Sequence, residues 1–133
     1  MAAGKYSFTI EQGATTDFEI AYKDSSNVPV DLTHYTARMQ IKPTAGSDIT
    51  YLTLSSSLGT CGTGLNLSGS SGLNPPTSGT IGVFISAKSS SLLSFDNASY
   101  DLEIASGSGA CAVVTRLIEG KIKLVQEVTT GTY

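Results

Sequence analysis

The segment "DLTHYTARMQIK", residues 31–42, decides the fold expected for this chain. A polar turn sequence, Asp31–Thr33, precedes a strict alternation of apolar and polar side chains from Tyr35 to Lys42. Successive side chains of a β-strand point to opposite faces, so the alternation predicts a strand with one buried and one solvent-facing side. The inward residues are Tyr35, Ala37, Met39 and Ile41, and the outward residues are Thr36, Arg38, Gln40 and Lys42.

The same period of two recurs along the whole chain and predicts an all-β protein. Further strands are expected in "KYSFTIEQ" (5–12), "TDFEIAYK" (16–23), "ITYLTL" (49–54), "GTIGVFIS" (79–86) and "SYDLEIA" (99–105). Only "SAKSSSLLSFDN" (86–97) is typical of a helix, of one or two turns. Turn sequences separate these segments, which is the pattern of a two-layer sandwich.

The C-terminal segment "VVTRLIEGKIKLVQEVTT", residues 113–130, admits either a hairpin at Glu119–Gly120 or one long strand. A two-residue hairpin would send the apolar residues after the turn to the face opposite those before it. The apolar residues instead share one parity: they are Val114, Ile118, Ile122, Leu124 and Val128. We therefore favour a single strand that bends at Gly120, where the missing Cβ permits a kink or bulge.

Residues 55–79, "SSSLGTCGTGLNLSGSSGLNPPTSG", are dense in Gly, Ser and Pro and predict one long loop. Loops of this length in compact domains are either functional or mobile, so this one is a candidate contact loop or a flexible surface insertion. A small hairpin around "LNLSG" is a further expectation. The residues of this loop that we select as candidate partner contacts are Leu65, Leu67 and Leu73.

The length of 133 residues allows one core, so residues 1–133 are expected to form a single domain. The pattern of short strands and turn signals favours an antiparallel immunoglobulin-like β-sandwich of about seven to nine strands, with a jelly roll as the alternative.

Composition argues against several function classes. The net charge is −3 and the eight Lys and Arg are scattered along the sequence, which disfavours nucleic acid as a partner. No apolar run approaches the roughly 18–20 residues that span a bilayer, so no membrane segment is expected. The sole histidine, His34, follows a turn and is interpreted as a positive-φ turn residue. The residues indicate no catalytic, cofactor or metal site, and the protein is expected not to be an enzyme.

The two cysteines, Cys61 and Cys111, leave two interpretations open. The N-terminus lacks a basic segment followed by an apolar one, which favours synthesis in a reducing compartment and free thiols. A disulfide between the two remains the alternative.

The candidate contact residues come from the strands, the long loop and the C-terminus. Arg38 and Arg116 lie inside predicted strands, where an arginine either pairs with a carboxylate such as Glu103 or Glu119 or docks on a partner. The full set of candidates is Arg38, Gln40, Lys42, Leu65, Leu67, Leu73, Arg116 and Tyr133. Tyr6, Tyr22, Tyr51 and Tyr133 are the aromatic residues that a carbohydrate-binding module would use for stacking.

Several segments, in order, resemble a family of small virion proteins of tailed bacteriophages related to the immunoglobulin-like N-terminal domain of baseplate upper proteins. They are "FTIEQGAT" (8–15), "VPVDLTHYTARMQIK" (28–42), "GTIGVFISA" (79–87), "YDLEI" (100–104) and "VTRLIEGKIKLVQEVT" (114–129). The chain departs from the family where His34 replaces a glycine that commonly follows "DLT", and where the loop at 55–79 is longer than expected.

The resemblance implies a non-enzymatic structural protein of the virion, assembled in the bacterial host cytoplasm. Its partners would be tail, baseplate or fibre subunits, and it would form a homo-oligomer within a symmetric assembly, acting as an adaptor or fibre-attachment protein. A capsid decoration protein is the alternative of the same class. A carbohydrate-binding module is the alternative of a different class, disfavoured by the absence of tryptophan.

Overall fold

The structure, a computed structural model, describes residues 4–69, 75–107 and 109–129. In these ranges the chain forms strands and one short helix. They are β1 (Gly4–Lys5), β2 (Phe8–Glu11), β3 (Thr16–Ala21), β4 (Tyr35–Lys42), β5 (Leu52–Ser55), β6 (Gly64–Asn66), β7 (Thr80–Ile85), α1 (Ala87–Ser91), β8 (Asn97–Ser106) and β9 (Val113–Val125). Single 3₁₀ turns cover Thr60–Gly62, Pro76–Ser78 and Gly109–Cys111.

The strands form two sheets, which confirms the predicted all-β sandwich. One sheet has the order β1-β9-β8-β4-β5, with β2 following β1 along the same edge of β9, and the other has the order β3-β7-β6. A central β4-β8-β9 group in one sheet, facing β3-β7-β6 in the other, is the strand arrangement of an immunoglobulin-like sandwich. The antiparallel prediction holds except at one edge, where β1 and β2 run parallel to β9.

The core lies between the sheets and is built from the inward side chains that alternation predicts. In β4, Met39 and Ile41 are almost completely buried, and their neighbours Arg38 and Gln40 are not. The residues predicted inward in β7 and β8 are also buried: Ile81, Val83, Ile85, Tyr100, Leu102 and Ile104. Burial of such side chains stabilises the fold by roughly 1.5–3 kcal/mol each, so this stripe pattern dominates the choice of register.

Strand β9 confirms the prediction of one long strand and corrects its geometry. The chain runs without a hairpin from Val113 to Val125, but the register shift against β8 lies at Leu117, between the pairs Leu102↔Ile118 and Glu103↔Arg116. The sequence predicted a bend or bulge at Gly120, so the prediction placed it three residues too far along the strand. Before the extra residue, the odd-numbered side chains of β9 and not the even-numbered ones point inward, so Leu117 is buried whereas Val114 is exposed. Val128, which lies beyond the strand, is exposed as well.

Gly120 has a different role from the one predicted. A Cβ at this position would collide with the backbone carbonyl of Tyr6, the residue between β1 and β2. The hydroxyl of Tyr100 also donates a hydrogen bond to this carbonyl. The glycine thus permits close approach of the N-terminal segment to β9. Close approach of another backbone is, besides bulges, a common reason for a glycine within a strand.

The prediction of one long loop at residues 55–79 is wrong for its central part. Gly64–Asn66 forms β6, which pairs with β7 in the second sheet and does not form the local hairpin expected around "LNLSG". Leu65 is fully buried as a result. Residues 70–74 lie outside the described ranges.

The turn that precedes β4 agrees with its sequence. The Asp31 carboxylate accepts hydrogen bonds from the Thr33 N–H (2.9 Å) and the Thr33 hydroxyl (2.6 Å). These two hydrogen bonds lower the pKa of Asp31 from its usual value, with the Thr33 hydroxyl as the larger cause. His34 has φ of 69°, which confirms its predicted role as a positive-φ turn residue.

Candidate functional site

The structure gathers four of the predicted contact residues on one surface, the outer face of the six-stranded sheet (called the outer face below). Pairing of β4 with β8 and of β8 with β9 places Arg38 beside Glu103, and Glu103 beside Arg116. Two residues further along β4, Gln40 lies beside Asp101. Lys42 follows at the end of β4, beside Ser99. Residues that are distant in sequence are therefore adjacent because the strand registers align them.

Ion pairs cross the outer face from strand to strand. Arg38 Nη2 lies 3.3 Å from Glu103 Oε1, which confirms the predicted pairing of that arginine. Arg116 pairs instead with Asp101, at 3.3 Å from Nε to Oδ2, and Glu119, which was expected to serve an arginine, pairs with Lys5 at 3.2 Å. The arginine side chains are 63% and 51% exposed, so these pairs contribute little to stability and remain accessible to a partner.

The outer face concentrates positive charge. Six of the eight Lys and Arg of the chain lie on it with four of the eleven Asp and Glu, a formal charge of +2 on a chain of net charge −3. The cations are Lys5, Arg38, Lys42, Arg116, Lys121 and Lys123, and the acids are Glu11, Asp101, Glu103 and Glu119. The Lys and Arg residues that are scattered along the sequence are therefore clustered on the surface. The alternation of Lys121, Ile122 and Lys123 could have predicted it, because the two lysines then share the outward face of one strand.

A shallow depression of about 530 Å³ lies on the outer face. The turn at Thr44–Gly46 after β4 forms one wall, and Lys5 with Ser7 forms another. Charged and polar groups line the floor between them: Gln40, Lys42, Asp101, Arg116, Glu119 and Lys121. Such a surface offers positively charged hydrogen-bond donors and negatively charged acceptors to a polar partner.

Asp101 is an ionisable group of this depression whose environment alters its pKa. Partial burial, the largest cause, raises the pKa of its carboxyl above the usual value, and the neighbouring Arg116 opposes this effect. The negative charges of Glu103 and Glu119 act in the same direction as burial. Burial therefore disfavours the charged form of this carboxyl, although Arg116 lies beside it.

The other predicted contact residues do not join this face. Leu65 belongs to the core, so its assignment as a contact residue is wrong, and Leu67 is partly buried against the core. Leu73 and Tyr133 lie outside the described residues. Sequence reasoning also missed Asp101, Lys121 and Lys5, whose contribution depends on strand register.

The remaining sequence-based candidates are placed as follows. Cys61 and Cys111 are free and exposed, so the structure contains no bridge between them. The ring of Tyr51 stacks on that of Phe95, with ring centroids 4.6 Å apart, which occupies one of its faces. Tyr6 is about half exposed and packs against Phe8 and Phe18.

Metal sites and membrane spans were sought in the described ranges. Residues 4–69, 75–107 and 109–129 hold no group of three or more His, Cys, Asp or Glu that could bind a metal ion. Within the same ranges, no helix has the length and apolar character needed to cross a bilayer.

Comparison of the chain with protein-family models gave no match, and comparison with curated proteins gave none either.

Proposed function

We propose that this protein is a structural component of a tailed-phage virion, an adaptor or fibre-attachment protein of the tail or baseplate that binds its partners through the outer face. The observation that carries the proposal is the convergence of Arg38, Gln40, Lys42 and Arg116 on one accessible surface with a polar depression. The resemblance of the sequence to phage virion proteins supplies the biological setting.

The physical properties of the outer face suit assembly. Its scaffold is a two-layer sandwich with a continuous buried core, so little conformational entropy is lost when a partner docks on it. Its ion pairs are solvent-exposed and individually weak, and they can exchange for pairs with a neighbouring subunit at small cost. In a symmetric array, several such modest contacts together provide strong attachment.

The test is the composition of purified particles. Mass spectrometry of separated tails and heads should detect the protein in the tail fraction. Detection in heads alone would favour the decoration protein, and absence from both fractions would overturn the proposal.

A charge-reversal pair tests the role of the outer face. Arg116→Glu should reduce incorporation into tails by about tenfold or more, because like charges across an interface are strongly unfavourable. Lys88→Glu is the matched control, since Lys88 is an exposed cation on α1, away from the outer face. Equal incorporation of the two variants would contradict an attachment through the outer face.

A further inference from the structure

The first half of β9, residues 113–117, lies at an edge of the six-stranded sheet as far as the described residues show. On one side it pairs with β8. On the other side β1 begins at Gly4, opposite Ile118, so no strand of the described part of the chain flanks the segment before that point. This segment is called the β9 edge below.

The bulge determines which backbone groups of the β9 edge point outward. In the second half of β9 the backbone N–H and C=O groups of the even-numbered residues point toward β8. The Leu124 N–H, for example, donates to the Asp96 carbonyl at 3.1 Å. The extra residue at Leu117 reverses this parity. Since backbone groups along an antiparallel strand alternate between its two sides, the N–H and C=O groups of Val114 and Arg116 face the open side.

Side chains of the β9 edge are also exposed. Val113 is 66% exposed and Val114 is 52% exposed, and both are β-branched residues that favour strand pairing. The opposite edge of the same sheet is protected, because the backbone of β6 approaches β5 so closely that a Cβ on Gly64 would lie 2.7 Å from the Ser55 carbonyl. Proteins commonly cover sheet edges in this way, and an uncovered edge is a ready template for a further strand.

We propose that the β9 edge binds an extended segment of a partner protein that adds as a further strand and carries acidic residues at alternate positions. The charge of the outer face selects this partner. Side chains of an added strand opposite Val114 and Arg116 would lie on the outer face, whose formal charge is +2. Alternate Asp or Glu would neutralise that charge, whereas a second copy of this chain would place an equally positive face beside it.

The intervening side chains of the added strand would lie on the other side of the sheet, beside Val113 and Thr115. Apolar β-branched residues fit there, since Val113 is largely exposed in the free protein. The segment therefore alternates acidic and apolar residues. This inference rests on the proposed function for the source of the segment, a neighbouring virion subunit, but the binding itself is a property of the isolated protein.

Titration of ¹⁵N-labelled protein with the synthetic peptide acetyl-Val-Glu-Val-Asp-Val-amide, followed by NMR, tests the inference. Before peptide is added, the Val114 and Arg116 amides should exchange rapidly with solvent, and protection of both would show that the β9 edge is already covered and overturn the inference. On titration their signals should move most, and the affinity should fall about tenfold or more for a peptide with Lys in place of Glu and Asp. Equal affinity for the two peptides would overturn the charge argument, and lack of binding would overturn the inference as a whole.

Matched proline variants locate the binding. Val114→Pro removes an outward N–H of the β9 edge and should abolish peptide binding. Thr53→Pro in β5, at the opposite edge of the sheet, is the control and should bind as the unaltered protein does. Unchanged binding by Val114→Pro would overturn the assignment.

If Val114→Pro fails to fold, shown by its circular dichroism spectrum, the signal changes in the unaltered protein decide the question. Sedimentation that shows dimers blocked by the peptide would favour a second copy at the β9 edge and overturn the choice of partner. Particle fractionation tests the proposed function separately, so the two can fail independently.

Discussion

The two halves of β9 have similar β-branched sequences but different surroundings. The second half, Ile118–Val125, lies between β8 on one side and β1 and β2 on the other, and its inward residues Ile122 and Leu124 are buried. The first half has one flanking strand in the described structure, and Val113 and Val114 are exposed. Neighbouring strands, and not local propensity, thus decide which half stabilises the fold and which is available for binding.

The largest difference between the halves should appear when apolar side chains are shortened. Ile122→Ala should lower the free energy of unfolding by about 2–5 kcal/mol, because it leaves a cavity in the core. Val114→Ala in the exposed half should change it by less than about 0.5 kcal/mol. Urea denaturation measures both values, and comparable losses for the two variants would contradict the difference in burial.

A smaller but specific effect is expected from the contact between β9 and the N-terminal segment. Gly120→Ala should destabilise the protein by roughly 1–3 kcal/mol, because the new Cβ collides with the Tyr6 backbone. Gly4→Ala in β1 is the matched control: its Cβ would lie 3.5 Å from Ile118, an ordinary contact, and should cost little. Thermal unfolding followed by circular dichroism compares them, and equal melting temperatures would show that the second half of β9 does not depend on close approach.

The ion pair at the bulge should matter less for stability. Arg116→Gln should reduce the free energy of unfolding by about 0–1 kcal/mol, since the pair with Asp101 is exposed. The loss should shrink in high salt, which screens exposed charges. A loss above about 2 kcal/mol in urea denaturation would indicate that Arg116 has a structural role in the bulge.

The smallest expected effect is a dependence of stability on pH from Asp101. Because the folded state raises the pKa of this carboxyl, it holds the proton more tightly than the unfolded chain does. The contribution of Asp101 to stability should therefore be present at pH below its usual pKa and decline as the pH rises through the raised value. Asp101→Asn should flatten this part of the stability curve, and an unchanged curve in urea denaturation at several pH values would contradict the shift.

Strand positions could be predicted well, and the contact surface only in part. Alternation located the inward residues of β4 and β7, because a shift of one residue in the register would turn their apolar side chains from the core to solvent. It failed for residues 55–79, where glycine and serine concealed the three-residue strand that buries Leu65. The parity argument for β9 failed at Leu117, since a bulge leaves no pattern in the sequence when apolar residues occupy both parities.

The sequence by itself determined that the chain is an all-β sandwich, that β4 turns Arg38, Gln40 and Lys42 to solvent, and that His34 takes a positive φ. These properties depend on local periodicity and turn chemistry, which neighbouring residues specify. Only the tertiary structure decided that six distant cations share one face and that Arg116 pairs with Asp101. It also decided that, among the described residues, no strand flanks one side of the first half of β9. Strand order and register, which arise from contacts between residues far apart in the chain, set all three.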